Sequence, residues 1–161
     1  MIMNKIFISG SISRKSLSDS ELACLEQIVE NENIILIGDA YGADRAVQQW
    51  LAERDYRAVI VYFAGENPRN NVGKWQTRNI PNPENLEGRS RYQLKDKAMA
   101  DECDCAVMFW DGKSKGTKDN MDYMDKLNKK YSATSEKKIF YSVAGTFMPN
   151  VADEENADRF Y

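Results

Sequence analysis

The sequence contains no histidine, and this absence narrows its chemistry more than any other feature of its composition. Without imidazole there is no Ser-His-Asp or Cys-His catalytic arrangement, no imidazole-ligated zinc and no histidine general base. Any catalysis must use carboxylates, Lys, Tyr, Ser, Cys or backbone groups. Cysteine is scarce as well: Cys24, Cys103 and Cys105 are an odd set with two members almost adjacent, which is a poor basis for disulfides. We expect reduced thiols that fill the core.

Long apolar runs and a strong charge of one sign are also missing. No run approaches the roughly 18 apolar residues of a membrane span. Residues 1–5 lead directly into a strand pattern without the hydrophobic region of a signal peptide, so we expect a cytoplasmic protein with no membrane partner. The net charge of −3 gives no overall positive field. This argues against a nucleic-acid partner, although a local basic patch stays open.

What the sequence does contain is a regular alternation of strands and helices. Apolar strands are predicted at residues 5–9, 34–37, 58–63, 105–110 and 138–143. Amphipathic helix patterns lie between the strands, and Ser18 and Glu21 form a capping box at the start of one of them. This alternation favours a parallel sheet with right-handed crossovers. We predict an α/β fold: a single Rossmann-like, doubly wound domain with a mainly parallel five-stranded sheet of order 3-2-1-4-5 and helices on both faces.

Two segments break this regularity. Residues 64–89 contain three of the four prolines and show little periodicity. A loop of this length in a compact domain is usually functional or disordered, and we interpret it as a loop close to the ligand. The predicted domain covers residues 1–147, and residues 148–161 form an acidic C-terminal tail.

Glycine-containing turns follow three of the predicted strands: Gly10-Ser11, the segment 38–45 and the segment 111–117. Glycine allows backbone N–H groups to approach a ligand, and a helix start behind the turn favours anions. In the predicted strand order, the turns after the first and fourth strands are neighbours at the carboxyl edge of the sheet, where such folds bind ligands. The sequence therefore predicts a phosphate or nucleotide site at this edge.

Residues of several types are candidates for this site. Lys115 supplies positive charge and Thr117 a hydroxyl, Arg45 could clamp a phosphate, and Trp75 lies among basic residues that could stack a base and neutralise a phosphate. A solvated turn, a helix-start acid at Asp44 and a solvated basic stretch are the structural alternatives. The expected ligand-binding residues are Gly10, Ser11, Gly38, Asp39, Gly42, Asp44, Arg45, Trp75, Arg78, Arg91, Asp111, Gly112, Ser114, Lys115, Gly116 and Thr117.

These motifs resemble the SLOG superfamily, the Rossmann-like nucleotide-sensing domains related to the Lonely Guy protein and DNA-processing protein A, and most closely its YspA/YpsA-related branch. The most specific element is Gly42-Ala43-Asp44-Arg45, and the resemblance covers roughly residues 4–143. It implies a Rossmann-like domain that binds a nucleotide or a nucleotide-derived molecule as a sensor or a sequestering protein. It also implies that homo-oligomers are common, although nothing in the sequence specifies one.

Two alternatives follow from the same resemblance. Lonely Guy enzymes cleave the N-glycosidic bond of nucleoside monophosphates with a glutamate, and Asn120 stands where that glutamate would be. A nucleotide N-glycosidase, whether a phosphoribohydrolase or similar to a deoxyribosyltransferase, would therefore need another carboxylate, and Asp39 and Asp111 are the catalytic candidates. The second alternative is single-strand nucleic-acid binding. No residue is predicted as a resident metal ligand, although Mg²⁺ could bridge Asp111 and a ligand phosphate.

Overall fold

The computed structural model of the protein describes residues 4–135, 139–141 and 157–159. Within these residues, the first half of the chain forms β1 (Lys5–Gly10), α1 (Asp19–Glu30), β2 (Ile34–Ile37), α2 (Ala43–Glu53), β3 (Val59–Phe63) and β4 (Gln76–Asn79). The second half forms α3 (Gly88–Glu102), β5 (Cys105–Phe109), α4 (Lys115–Lys126), β6 (Lys130–Thr134), β7 (Ile139–Tyr141) and β8 (Ala157–Arg159).

The strands form one sheet of order β4-β3-β2-β1-β5-β6-β7-β8. The six strands from β4 to β6 are parallel, whereas β7 is antiparallel to β6 and β8 is parallel to β7. The predicted α/β fold and the predicted order of the first four apolar strands are confirmed. Strand β1 lies between β2 and β5, so the order of the sheet reverses between β1 and β5.

The sheet differs from the prediction in two places. Its parallel part has six strands, because β4 extends one edge within residues 64–89 and β6 takes the place predicted for residues 138–143. All four residues of β4 are exposed and polar, so this edge strand carries no apolar pattern. Strand β6 is buried from its second residue onwards, but its sequence Lys-Tyr-Ser-Ala-Thr mixes polar and apolar residues and so gives no clear strand pattern. The predicted fifth strand is the short antiparallel β7.

Apolar residues of the central strands alternate between two cores, as the two-residue period of a strand requires. Ile6 and Ile8 pack in the core that also contains Leu25 of α1 and Leu51 of α2. Phe7 points to the opposite face. The core on that face contains Leu36, Met99 of α3 and Met121 of α4. The helices therefore cover both faces of the sheet. The capping box of Ser18 and Glu21 at the start of α1 is confirmed.

The cysteines, the helices as possible membrane spans and the C-terminal tail can also be compared with the predictions. No disulfide joins the three cysteines, which are all buried, and burial raises the pKa of the Cys103 thiol to about 11. None of the helices in the described ranges is long and apolar enough to cross a membrane. Of the predicted tail, residues 157–159 form β8, while the rest of the tail and its boundary at 147–148 lie outside the described residues.

Candidate functional site

A cavity of about 630 Å³ opens at the carboxyl ends of β1 and β5, where the strand order reverses. Its walls come from the turns after these two strands, from the side of α3 and from the first two turns of α4. Ligand-binding cavities in proteins usually measure about 300–1,000 Å³. The cavity therefore has both the place and the size of a small-molecule site in a doubly wound sheet.

Three hydroxyl groups meet on the wall of this cavity. The Ser11 Oγ lies 2.7 Å from the Ser114 Oγ and 3.5 Å from the Thr117 Oγ1, and it accepts a hydrogen bond from the backbone N–H of Asp111. Ser11 and Thr117 are almost fully buried. The turn after β1 and the start of α4 are thus joined by hydroxyls, as the predicted juxtaposition of these turns requires.

Asp111 shapes the turn between β5 and α4. Its Oδ1 accepts hydrogen bonds from the backbone N–H groups of Lys113 and Ser114, and its Oδ2 accepts one from the Ser13 hydroxyl. Desolvation opposes ionisation of this carboxyl, but these donors outweigh it and lower its pKa to about 2. Asp111 is therefore ionised at neutral pH and uses both oxygens within the protein.

Helix α4 begins in the cavity wall. Ser114 is its N-cap residue, but the Ser114 side chain accepts no hydrogen bond from the backbone N–H groups of the first turn. The first backbone N–H groups of a helix have no partner within the helix and attract anions. Gly116, Thr117 and the exposed Lys115 belong to this first turn and line the cavity. This end of the cavity can bind an anion such as a phosphate.

The floor of the cavity is ionic. The ammonium of Lys95, a side chain that is 4% exposed, lies 3.4 Å from the Asp96 Oδ1 and 3.8 Å from the Asp39 Oδ1. Burial disfavours its charge, but Asp96, Asp44 and Asp39 outweigh burial and raise the pKa of Lys95. For the buried Asp44, desolvation is the largest influence and raises its pKa to about 6, although Lys95 acts in the opposite direction.

Asp39 lies behind this floor rather than in the cavity wall. Its Oδ1 accepts a hydrogen bond from the Arg69 Nη2 at 3.0 Å, and its Oδ2 accepts one from the Arg69 backbone N–H at 2.9 Å. The carboxyl is 2% exposed. Asp39 therefore ties the segment after β3 to the turn after β2.

Asp96 differs from Asp39 because it reaches the cavity. Its Oδ2 accepts a hydrogen bond from the Asn120 amide at 3.2 Å, and the same amide donates to the Ser9 hydroxyl at 3.0 Å. Ser9, Asp96 and Asn120 all line the cavity. A carboxylate thus stands next to the position where the resemblance places a glutamate and this chain has Asn120.

One aliphatic and one aromatic side chain lie at the mouth of the cavity. Ile12 is 64% exposed and Tyr92 is 38% exposed, and both line the cavity. The Arg69 guanidinium stacks over the Tyr92 ring at 4.3 Å from its centroid. Three residues before Tyr92 on the same face of α3, Arg89 also lines the cavity and pairs with Asp119. The Tyr92 ring with arginines beside it therefore suits a ligand that combines a planar ring with a negatively charged group.

The structure brings together half of the residues expected to bind the ligand. Gly10, Ser11, Asp44, Asp111, Ser114, Lys115, Gly116 and Thr117 line the cavity. The others do not line it: Gly38, Asp39, Gly42, Arg45, Trp75, Arg78, Arg91 and Gly112.

The residues away from the cavity wall have other contacts. Trp75 is buried in the core and donates its indole N–H to the Tyr56 carbonyl. Arg78 on β4 pairs with Glu102, Arg45 lies over the Tyr41 ring, and the Arg91 guanidinium reaches Gly65. A Cβ at Gly42 would lie 2.1 Å from the backbone oxygen of Ile12, so this glycine permits a close approach of two turns.

The expectations did not include several cavity residues, among them Ser9, Ile12, Arg69, Tyr92, Lys95, Asp96 and Asn120. A signal for part of this set is present in α3, where Arg89, Tyr92 and Asp96 recur at the spacing of one helix face. Arg69 carries no such signal, because its position depends on the irregular path after β3. Among the described residues, no group of three or more Cys, Asp or Glu side chains is arranged to hold a metal ion, and the Mg²⁺ alternative stays a prediction.

Comparisons with known proteins show which other proteins share this fold. No protein-family model matches the chain, and a comparison with curated proteins finds no match. Among solved structures, the chain is similar to DNA processing protein A from Helicobacter pylori, with a TM-score of 0.63 and 14% sequence identity over 98% of this chain and 75% of that one. That structure is described in terms of its single-stranded DNA binding mode.

This similarity corrects one expectation. The net charge of −3 was the argument against a nucleic-acid partner, and that argument is wrong, because a protein of the same fold binds single-stranded DNA. Net charge does not decide whether a protein binds nucleic acid when positive side chains are close together on its surface. Here Lys113 lies in the turn before α4, and Lys115 is the first residue of α4. At 14% identity the similarity concerns the fold, and the chain has the Rossmann-like fold seen in DNA processing protein A.

Proposed function

We propose that this protein binds a nucleotide or a nucleotide-derived molecule, as a sensor or a sequestering protein, with a phosphate of the ligand at the start of α4. The observation that carries this proposal is the meeting of the Ser11, Ser114 and Thr117 hydroxyls inside a cavity, at a helix start whose N-cap side chain accepts no hydrogen bond from the first turn. Hydroxyls, backbone N–H groups and the Lys115 ammonium are the donors that bind phosphates in proteins.

The rest of the cavity suits the rest of a nucleotide. The exposed faces of Tyr92 and Ile12 offer a surface for a base, and the cavity of about 630 Å³ has room for both parts. The fold and the Gly42-Ala43-Asp44-Arg45 turn also support membership of the SLOG superfamily, which belongs to the same proposal.

Calorimetric titration with nucleosides and their 5′-mono-, di- and triphosphates tests the proposal. Phosphorylated forms should bind at least about tenfold more tightly than the nucleosides, because a charge-assisted hydrogen bond contributes about 1.5–3 kcal/mol. Thr117→Val should remove most of this difference. Thr77→Val, on the exposed β4, is the matched control and should retain it. Equal binding of nucleosides and nucleotides, or no binding of either, would contradict the proposal.

A second candidate is single-strand nucleic-acid binding, favoured by the fold shared with DNA processing protein A and by exposed cations beside the cavity. Fluorescence anisotropy with a labelled oligothymidylate over a salt series tests it, since phosphate contacts make the affinity fall with salt. Replacing Lys113 and Lys115 by Gln should weaken binding and flatten the salt dependence. Lys130→Gln removes one positive charge at the amino end of β6, away from the cavity, and should have little effect. If oligonucleotide affinity and its salt dependence were unchanged when Lys113 and Lys115 are replaced, this candidate function would be ruled out.

A further inference from the structure

Asp96 has unused hydrogen-bonding capacity that faces the cavity. An ionised carboxylate offers about four acceptor positions. Asp96 receives one hydrogen bond from Asn120 and one contact from the Lys95 ammonium, and its side chain is 22% exposed. The other two cavity carboxylates are less available, because Asp111 accepts two hydrogen bonds from the backbone of its own turn and one from the Ser13 hydroxyl, and Asp44 is buried. Asp96 is therefore the carboxylate in this wall that is best able to accept hydrogen bonds from a ligand.

The spacing along α4 relates Asp96 to the anion-binding end of the cavity. Thr117 and Asn120 are three residues apart, so they lie on one face of α4, and both are buried and line the cavity. With a rise of about 1.5 Å per residue, they are separated by about 4.5 Å along the helix axis. Because the Asn120 amide holds the Asp96 carboxylate at 3.2 Å, an anion-binding end and an acceptor end stand about one helical turn apart.

The two ends have opposite requirements. The start of α4 offers backbone N–H groups, hydroxyls and the Lys115 ammonium, which bind an anion. Asp96 accepts hydrogen bonds, so it suits a neutral group with donors and repels a second anion. A ribose 5-phosphate unit satisfies both, since its phosphate and its ring hydroxyls lie at opposite ends of one short group.

We propose that Asp96 accepts hydrogen bonds from the 2′- and 3′-hydroxyls of the ligand's ribose, so that the cavity selects ribonucleoside 5′-phosphates. This inference rests on the proposed nucleotide binding and gives its ligand class. Asn120 is a positioning residue, because its amide donates both to Asp96 and to the Ser9 hydroxyl of β1 and so fixes the carboxylate relative to the sheet. The arrangement also gives Asn120 a physical role, since a glutamate there would place a second carboxylate beside Asp96.

Affinities for two series of probes test this inference. The 5′-monophosphates of adenosine, guanosine, cytidine and uridine are compared with their 2′,3′-dideoxy counterparts by calorimetric titration. The preferred ribonucleotide should bind at least about tenfold more tightly than its dideoxy form, the size expected when charge-assisted hydrogen bonds are lost. In Asp96→Asn the difference should shrink to within about threefold, while dideoxy binding is retained, because a neutral amide is a weaker acceptor than a carboxylate. Asp122→Asn, an exposed site on α4, should keep the selectivity.

The outcomes separate this inference from the proposed function. If the protein binds both series equally, nucleotide binding stands and the role of Asp96 is overturned. If it binds neither series, the proposed function fails and this inference fails with it. Because Asp96 contacts the buried Lys95, the variant must first show a cooperative unfolding transition. If Asp96→Asn does not fold, Asn120→Ala replaces it and should also reduce the preference for the ribonucleotide; an unchanged preference would overturn the inference.

Discussion

The Lys95 ammonium lies beside Gly38, in space that a side chain at position 38 would need. A Cβ at Gly38 would lie 2.7 Å from the Lys95 Nζ and 2.7 Å from the Asp44 Oδ2. The absence of a side chain after β2 therefore allows the buried Lys95 of α3 to lie close to Asp39 of the following turn and to Asp44 at the start of α2. Gly38 contributes to the site by the room it leaves for this ion cluster.

Gly38→Ala should therefore lower the free energy of unfolding by about 1–3 kcal/mol, the usual cost of overpacking a tightly packed site. Urea unfolding followed by circular dichroism measures this change. Gly116→Ala is the matched control, because a Cβ at Gly116 meets no atom within 4 Å. It should leave stability unchanged or raise it slightly, since Ala is a better helix residue than Gly. If the two variants were equally stable, the space at position 38 would not be needed for Lys95.

Lys95 itself should be important for stability. Lys95→Met leaves Asp39, Asp44 and Asp96 without their buried cation, and breaking one side of a buried ion pair costs about 3–5 kcal/mol. We expect a large fall in the urea midpoint at pH 7 and partial recovery at pH 5, where Asp44 is protonated. Lys97→Met, two residues away at an exposed position of the same helix, is the control and should have a small effect. A fall that does not depend on pH would point to lost packing rather than to uncompensated charge.

The pH dependence of stability should also identify Asp44. Burial raises its pKa from 3.8 to about 6 in the folded protein, so the folded state holds its proton more tightly than the unfolded chain does. Stability from this residue is fully present below about pH 4 and is lost as the pH rises through about 6. The difference in unfolding free energy between the wild type and Asp44→Asn should fall by roughly 3 kcal/mol at most between pH 4 and pH 7. The same comparison with Asp122→Asn should show no such trend, and a difference that grows with pH would mean that Lys95 dominates.

The sequence allowed part of this structure to be predicted for clear physical reasons. The central strands have continuous apolar runs because both faces of the sheet are covered, and this pattern is easy to recognise. Strand β4 is polar and exposed at the edge, and β6 carries only two apolar residues, so neither has a periodic signal. Tertiary position, rather than local preference, makes these segments strands.

The same distinction applies to the candidate site. Turns that follow neighbouring strands are brought together by topology, so Ser11 and Ser114 could be paired from the sequence although they are 103 residues apart. Arg69 and Asp96 reach the site through the path of the chain after β3 and through the rotation of α3 about its axis. Neither residue lies in a local sequence pattern specific enough to assign it to the site. Trp75 shows the opposite case, because an aromatic residue in a polar segment suggested a ligand contact, whereas its side chain is part of the core.

The last prediction concerns the two carboxylates proposed as catalytic. If the protein is an N-glycosidase that depends on Asp39 and Asp111, Asp39→Asn and Asp111→Asn should abolish release of free base while nucleotide binding is retained. The contacts of Asp111 favour another result for that residue. Its carboxylate accepts hydrogen bonds from two backbone N–H groups and from the Ser13 hydroxyl. A neutral amide keeps the third contact only if the hydroxyl reverses and accepts, and it lacks the negative charge that strengthens all three. We therefore expect Asp111→Asn to weaken nucleotide binding by about tenfold or more, because the turn that sets the start of α4 loosens.

Mass spectrometry of a nucleotide pool incubated with each variant, together with calorimetric affinities, separates these roles. Free base and sugar phosphate that accumulate with the wild type and disappear in Asp111→Asn at unchanged affinity would establish a catalytic carboxylate. Weaker affinity with no turnover in any form would instead establish Asp111 as the residue that shapes the phosphate-binding turn. Asp122→Asn controls for the loss of one charge on α4 and should match the wild type in both measurements. Asp39 is enclosed by Arg69 and Lys95, so Asp39→Asn should lower the stability of the fold rather than act directly on turnover.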